Sequence, residues 1–115
     1  MKDEFLDYIE DILKAMDDAL AFVKDMNYEA FAKDRKTVYA VIRALEIIGE
    51  ASKHVPSSIK DHCPEIPWKD IAGMRDKVIH AYFGVDLKRI WSTVNEDIPS
   101  IKPSFEKLLS HNEKK

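Results

Sequence analysis

One cysteine, Cys63, is all the thiol that the 115-residue chain holds. An intramolecular disulfide is therefore excluded, and nothing resembling a zinc-ligand set is present. Three glycines and five prolines leave no low-complexity tract or flexible linker. No apolar run approaches the about 20 residues that a bilayer span requires. The acidic, amphipathic opening "MKDEFLDYIEDILK" lacks the organisation of a signal peptide, so the expected location is the cytoplasm. Positive charge is also in deficit, with 18 Lys and Arg against 21 Asp and Glu and a net charge of -3. Non-specific affinity for nucleic acid comes mainly from neutralising phosphates, so this balance argues against a general polyanion binder. A nucleic-acid partner would have to meet a local site.

The 45% hydrophobic and 34% charged residues suit a helical protein, and the length suits one domain, expected over residues 1–110 with a polar tail at 111–115. Phe5, Ile9, Ile12, Met16, Ala19, Val23 and Met26 recur at gaps of four and three, and Leu6, Leu13 and Leu20 widen the same face. This predicts a helix from near Asp3 to Asp25. A second stripe, Val38, Val41, Leu45, Ile48, Ser52 and Val55, predicts a helix from about Asp34 to His54, or from earlier in "YEAFAKD". "PSSIKDHCPEIP" carries three prolines and has room for only a short helical turn. A third helix is expected from Pro67 or Trp68 to about Ala81. Gly84 supplies a break and Asp86 an N-cap for the last helix, which buries Leu87, Trp91, Val94, Ile98, Ile101, Phe105 and Leu108. Its phase survives Pro99 and Pro103, which predicts a kink or short break with both pieces on one core. The fold class is all-α, an antiparallel up-and-down bundle of four main helices. The doubled stripe of the first helix, with Tyr39, Ile42 and Ile47 beside the second stripe, is wider than such a bundle needs. A homodimer is the simplest cover, against the alternative of scattered surface apolar residues.

"GMRDKVIHAYFGVD", residues 73–86, places an arginine, a histidine and a tyrosine within eight residues. On a helix Arg75 and Tyr82 project from nearly the same side, while His80 lies about 140° from Arg75. Their convergence requires the reach of Arg75, a loosened turn before Gly84, or a second copy of the motif facing the first. Asp76 stands four residues before His80, where its carboxylate favours the imidazolium. Arginine offers a permanent bidentate charge to phosphate, and histidine moves protons near neutrality. These residue types suit phosphodiester cleavage, and no cluster of carboxylates is spaced to hold metal ions. A metal-independent reaction favours RNA, whose 2′-hydroxyl is a built-in nucleophile. By residue type alone, the same residues also fit an ion-pair former and a partly buried polar group on an ordinary helix.

Other candidates carry less. Glu46 and Glu50, one turn apart, read as solvated carboxylates or as ion-pair partners of Arg43 across a dimer, ahead of a metal site. His54, His62 and Cys63 are discounted as a metal cluster, because His62 and Cys63 are adjacent with no second matching pair. Trp68 and Trp91 flank the motif and read as core anchors holding it in place.

"MRDKVIHAYFGVD", with "PWKDIAG" before it and "LKRIW" after it, resembles the signature of the HEPN superfamily, and in particular its HepT-like branch. The branch pattern is arginine, four residues, histidine, one residue, tyrosine, which Arg75, His80 and Tyr82 match; Asp76 fills a place that is commonly polar. "DRKTVYAVIRALEIIGEASKHV", residues 34–55, is similar to the family's second helix, so the resemblance covers most of the chain. It implies an all-helical homodimer whose paired motifs line one cleft, acting as a metal-independent ribonuclease toxin without a cofactor. Arg75 and His80 would be catalytic and Asp76 supporting. The implied partner is a minimal nucleotidyltransferase antitoxin, which in some systems transfers AMP to the motif tyrosine, here Tyr82. The alternative is a non-catalytic, nucleotide-binding or regulatory helical subunit of a nucleotidyltransferase complex; a third reading is a purely structural dimerisation module.

Overall fold

The computed structural model describes residues 4–74 and 86–113. Seven α-helices occur in these residues: α1 (Glu4–Phe22), α2 (Tyr28–Lys33), α3 (Arg35–Lys53), α4 (Ser57–His62), α5 (Trp68–Ala72), α6 (Leu87–Ser92) and α7 (Ile98–Glu113). A π-helical turn, Thr93–Asp97, joins α6 to α7. No strand occurs among the described residues, and no helix among them is long and apolar enough to cross a membrane.

The expected stripes form the core. Ile9, Ile12 and Met16 of α1 are fully buried against α3 and α7, as are Val41 and Ile48 of α3 and Val94, Ile98 and Phe105 farther on. Ser52 is buried within the α3 stripe without penalty, because its hydroxyl donates to the Gly49 carbonyl at 2.8 Å. Acidic Glu4 and Asp7 favour the α1 start through the helix dipole. The helix stops three residues short of the predicted Asp25, which takes a left-handed φ of 64° that an aspartate tolerates.

The segment before Asp34 resolves into a separate helix. Asn27 caps α2 by accepting from the Ala30 amide at 2.8 Å. Asp34 ends α2 and caps α3, accepting from the Thr37 amide at 3.2 Å and its hydroxyl at 2.8 Å. The Thr37 hydroxyl and amide hold the Asp34 carboxyl below its usual range. Phe31 of α2 is fully buried, a core residue in the stretch "YEAFAKD" that the sequence offered as an earlier start of the second helix rather than as a helix of its own.

Helix α3 buries more of its wide face within this chain than expected. Ile42 is 3% exposed and Ile47 packs partly on the core, leaving Tyr39 outermost at 47%. The Arg35 guanidinium lies 5.9 Å from the Tyr39 ring and donates to its hydroxyl at 3.3 Å. The width of this face is therefore a weaker sign of a second subunit than the sequence suggested.

At the prolines the last helix is interrupted by a π turn, Thr93–Asp97, and then runs on through Pro103. Pro99 lacks an N–H for the carbonyl four residues back and crowds that carbonyl with its ring. Ahead of it the chain widens into the π turn, where the Ile98 amide donates to the Thr93 carbonyl. The Thr93 hydroxyl and the Asn95 amide group bond the carbonyls of Arg89 and Trp91, at 2.8 and 2.9 Å. Val94, Ile98 and Phe105 consequently stay on one core. Helix α7 continues to Glu113, into the segment read as a tail. Lys102 of α7 ties it to α1 through Asp17 at 2.6 Å, an exposed pair of small energetic weight.

Candidate functional site

Arg75, Asp76, His80 and Tyr82 lie outside the described residues, as do the C-terminal part of the expected third helix and the Gly84 break. The structure therefore defines the frame from which the motif departs and to which it returns.

The departing end is fixed by Trp68, the first residue of α5. Its indole N–H donates to the Cys63 carbonyl at 3.1 Å, and its ring meets Phe105 edge-on, with centroids 5.4 Å apart and planes at 83°. The Lys60 ammonium sits 5.7 Å from the same ring. Ile71 follows at 1% exposure, and Met74, covalently attached to Arg75, is buried at 6%. Gly73 closes α5 in a right-handed conformation.

The returning end is fixed by Asp86, the N-cap of α6, whose carboxylate accepts from the Arg89 amide at 3.2 Å. Trp91 then packs on α2, with its ring 5.2 Å from Phe31 and 6.3 Å from Tyr28. The Lys88 ammonium lies 5.9 Å from the Tyr28 ring. Both tryptophans are thus partly buried anchors on either side of the motif, as expected from sequence.

A cavity of about 270 Å³ adjoins the departing end. Ile71, Met74 and Thr93 supply its buried part, and exposed Asp70, Asp97 and Ser100 stand around it with Pro67 and Ile101. One wall is the π turn, and Asp97 is that turn's last residue. No motif or periodicity in the sequence marks this group. The nearest signal was Pro99 within an unbroken apolar phase, which announces a disturbance of the helix just before it.

The discounted candidates separate. His62 donates through Nδ1 to the Ser58 carbonyl at 2.6 Å, turned onto its own helix. Burial, with the Glu65 carboxylate as a lesser cause, pushes the Cys63 thiol above its ordinary pKa, the opposite of an activated cysteine. His54 stacks on Tyr8 at 4.8 Å and approaches Glu50 at 3.9 Å. Arg43, Glu46 and Glu50 do share one surface, lining an open groove of about 230 Å³ with Tyr8, Asp11 and His54. Among the described residues no group of three or more His, Cys, Asp or Glu is placed to hold a metal ion.

Comparison with known proteins gives this frame a family context. Residues 12–108 match the family described as "Ribonuclease HepT-like". A probable ribonuclease HepT of Thermococcus cleftensis is 56% identical over 108 residues, covering 94% of this chain and 98% of the relative. A putative RNase of Methanocaldococcus jannaschii is 51% identical over 108 residues, covering 94% and 93%. A putative RNase of Caldanaerobacter subterraneus is 42% identical over 102 residues, covering 89% and 91%. No solved structure matches the chain.

Proposed function

We propose, from the premise that this chain belongs to the HepT-like ribonuclease family, that it is a metal-independent endoribonuclease toxin controlled by a minimal nucleotidyltransferase antitoxin. The observation that carries the reading is the family match across residues 12–108, which contains the whole R-x4-H-x-Y motif between its two tryptophan-anchored flanks.

In this reading Arg75 binds the scissile phosphate and stabilises the charge that its oxygens gain in the transition state. The 2′-hydroxyl attacks phosphorus and loses its proton to a base. The 5′-oxygen leaves with a proton from an acid, so the products are a 2′,3′-cyclic phosphate and a 5′-hydroxyl. Histidine as a residue type moves protons near neutrality, which suits His80 to either proton step. One His80 per chain does not fill both roles, so a homodimer that brings two motifs to one cleft, or help from Tyr82 or Asp76, completes the site. Purified protein should therefore cut RNA in excess EDTA at the rate seen without chelator, with a pH dependence governed by a group near neutrality. A strict requirement for magnesium would refute this mechanism.

The same reading assigns control to Tyr82. An AMP group attached to its phenol would bring a bulky, negatively charged phosphate beside Arg75 and occupy the place of the RNA phosphate. Incubation with the partner nucleotidyltransferase and ATP should add an AMP mass to wild-type protein and none to Tyr82→Phe. An addition that persists on Tyr82→Phe puts the modification elsewhere.

A further inference from the structure

The cavity beside Met74 combines features that a phosphate site would avoid and a nucleobase site needs. Asp70 and Asp97 place two carboxylates at its edge, and these repel a phosphate. Between them the accessible apolar lining comes from exposed Pro67 and half-buried Ile101, over a floor closed by buried Ile71 and Met74. A planar base can lie against such a surface while its polar edge faces the rim. The volume of about 270 Å³ falls just below the range of about 300–1,000 Å³ typical of drug-sized ligand sites, which suits a single ring system better than a peptide. The wall carrying Asp97 is the π turn, a local departure from α-helix of the kind often found at functional sites.

We propose that this cavity is a nucleobase subsite, in which Asp70, Asp97 and Ser100 select an amino-bearing base of the bound RNA over uracil. The assignment rests on the ribonuclease reading above, since Met74 is covalently joined to Arg75. An ionised carboxylate only accepts hydrogen bonds. It is therefore matched by the N4 amino group of cytosine, the N6 amino group of adenine, or the N1 and N2 hydrogens of guanine. Uracil presents a single N–H flanked by two carbonyl oxygens, which would face the carboxylates unfavourably. The Ser100 hydroxyl adds a group that donates or accepts. Single-stranded RNA is commonly read in this way, through splayed bases recognised on their hydrogen-bonding edges.

The test uses full-length protein and short RNAs that differ at one base, varied position by position. Unmodified RNAs report cleavage, and 2′-O-methylated versions, which lack the nucleophile, report binding alone. Wild type should show about a tenfold preference for one or more amino-bearing bases at a single position, equal to about 1.4 kcal/mol. Asp97→Asn and Ser100→Ala should reduce that preference below about threefold, in binding and cleavage alike. Asp97 is exposed and its replacement nearly isosteric, so thermal melting should match wild type. If wild type cuts RNA without base preference, or if Asp70→Asn and Asp97→Asn both keep the preference, the subsite is overturned and the ribonuclease reading stands. Loss of cleavage of every RNA by Asp97→Asn also overturns it, by placing Asp97 in the chemistry. Failure of wild type to bind or cut any RNA overturns both.

Discussion

His80→Ala is expected to slow RNA cleavage by about 10²- to 10⁴-fold, the contribution typical of one positioned acid or base. Arg75→Ala should cost about 10²- to 10³-fold, comparable to loss of a transition-state charge donor. Arg75→Lys should recover only part of that loss, because a lysine keeps the charge but not the planar fork that meets two phosphate oxygens together. Single-turnover cleavage of a labelled RNA measures all three. Neither alanine variant should alter helical content by circular dichroism or the oligomeric state by light scattering, because the residues that anchor the flanks are elsewhere. Trp68 is held by Phe105 and the Cys63 carbonyl, and Trp91 by Phe31 and Tyr28. A variant that unfolds instead would show that the residue serves the helix rather than the reaction.

The second large effect falls on stability. Phe105→Ala should lower the unfolding free energy by about 3–5 kcal/mol, the cost of emptying a fully buried aromatic site that cannot collapse. Domains of this size are stable by only about 5–15 kcal/mol, so much of the margin disappears. Phe105 also forms the surface on which Trp68 rests, 5.4 Å away, so the departing end of the motif loses its anchor with the core. Urea unfolding measures the loss, with Phe22→Ala as the internal comparison. Phe22 is 42% exposed, and its truncation should change stability by less than about 0.5 kcal/mol. A Phe105→Ala protein as stable as wild type would contradict the single core drawn from α1, α3 and α7.

The difference between those phenylalanines shows what the sequence discloses. The stripes through Ile9 and Met16, Val41 and Ile48, and Val94 and Phe105 are legible because burial on one helix face leaves a period of three and four. The Asp86 cap is legible because a short acceptor before an apolar run has few other uses. Phe31 was not, since a six-residue helix carries less than two turns of periodic signal. Asp34 hid the boundary of that helix by ending one element and capping the next, so no loop separates them. The π turn was half legible: Pro99 announces a disturbance, but whether a helix answers by kinking, breaking or widening depends on packing over its whole length. Ile42 shows the converse error, an apolar residue outside the main stripe that the chain's own core absorbs. Arg75, His80 and Tyr82 lie outside the described residues; by type and spacing they fit an ordinary helix as well as a nuclease, and the roles proposed for them rest on chemistry and family membership. Asp70 and Asp97 were not singled out, because acidic residues on exposed helix positions ordinarily only solvate a surface.

The most direct measurement of the central claim is the mass of the RNA ends produced by wild-type protein in EDTA, on paired substrates that carry either a 2′-hydroxyl or a 2′-deoxy group at the cleaved nucleotide. Wild-type protein should leave a 2′,3′-cyclic phosphate and a 5′-hydroxyl on the first substrate and make no cut at the substituted position in the second. Cleavage of the deoxy substrate at that position, leaving a 3′-hydroxyl and a 5′-phosphate, would contradict it.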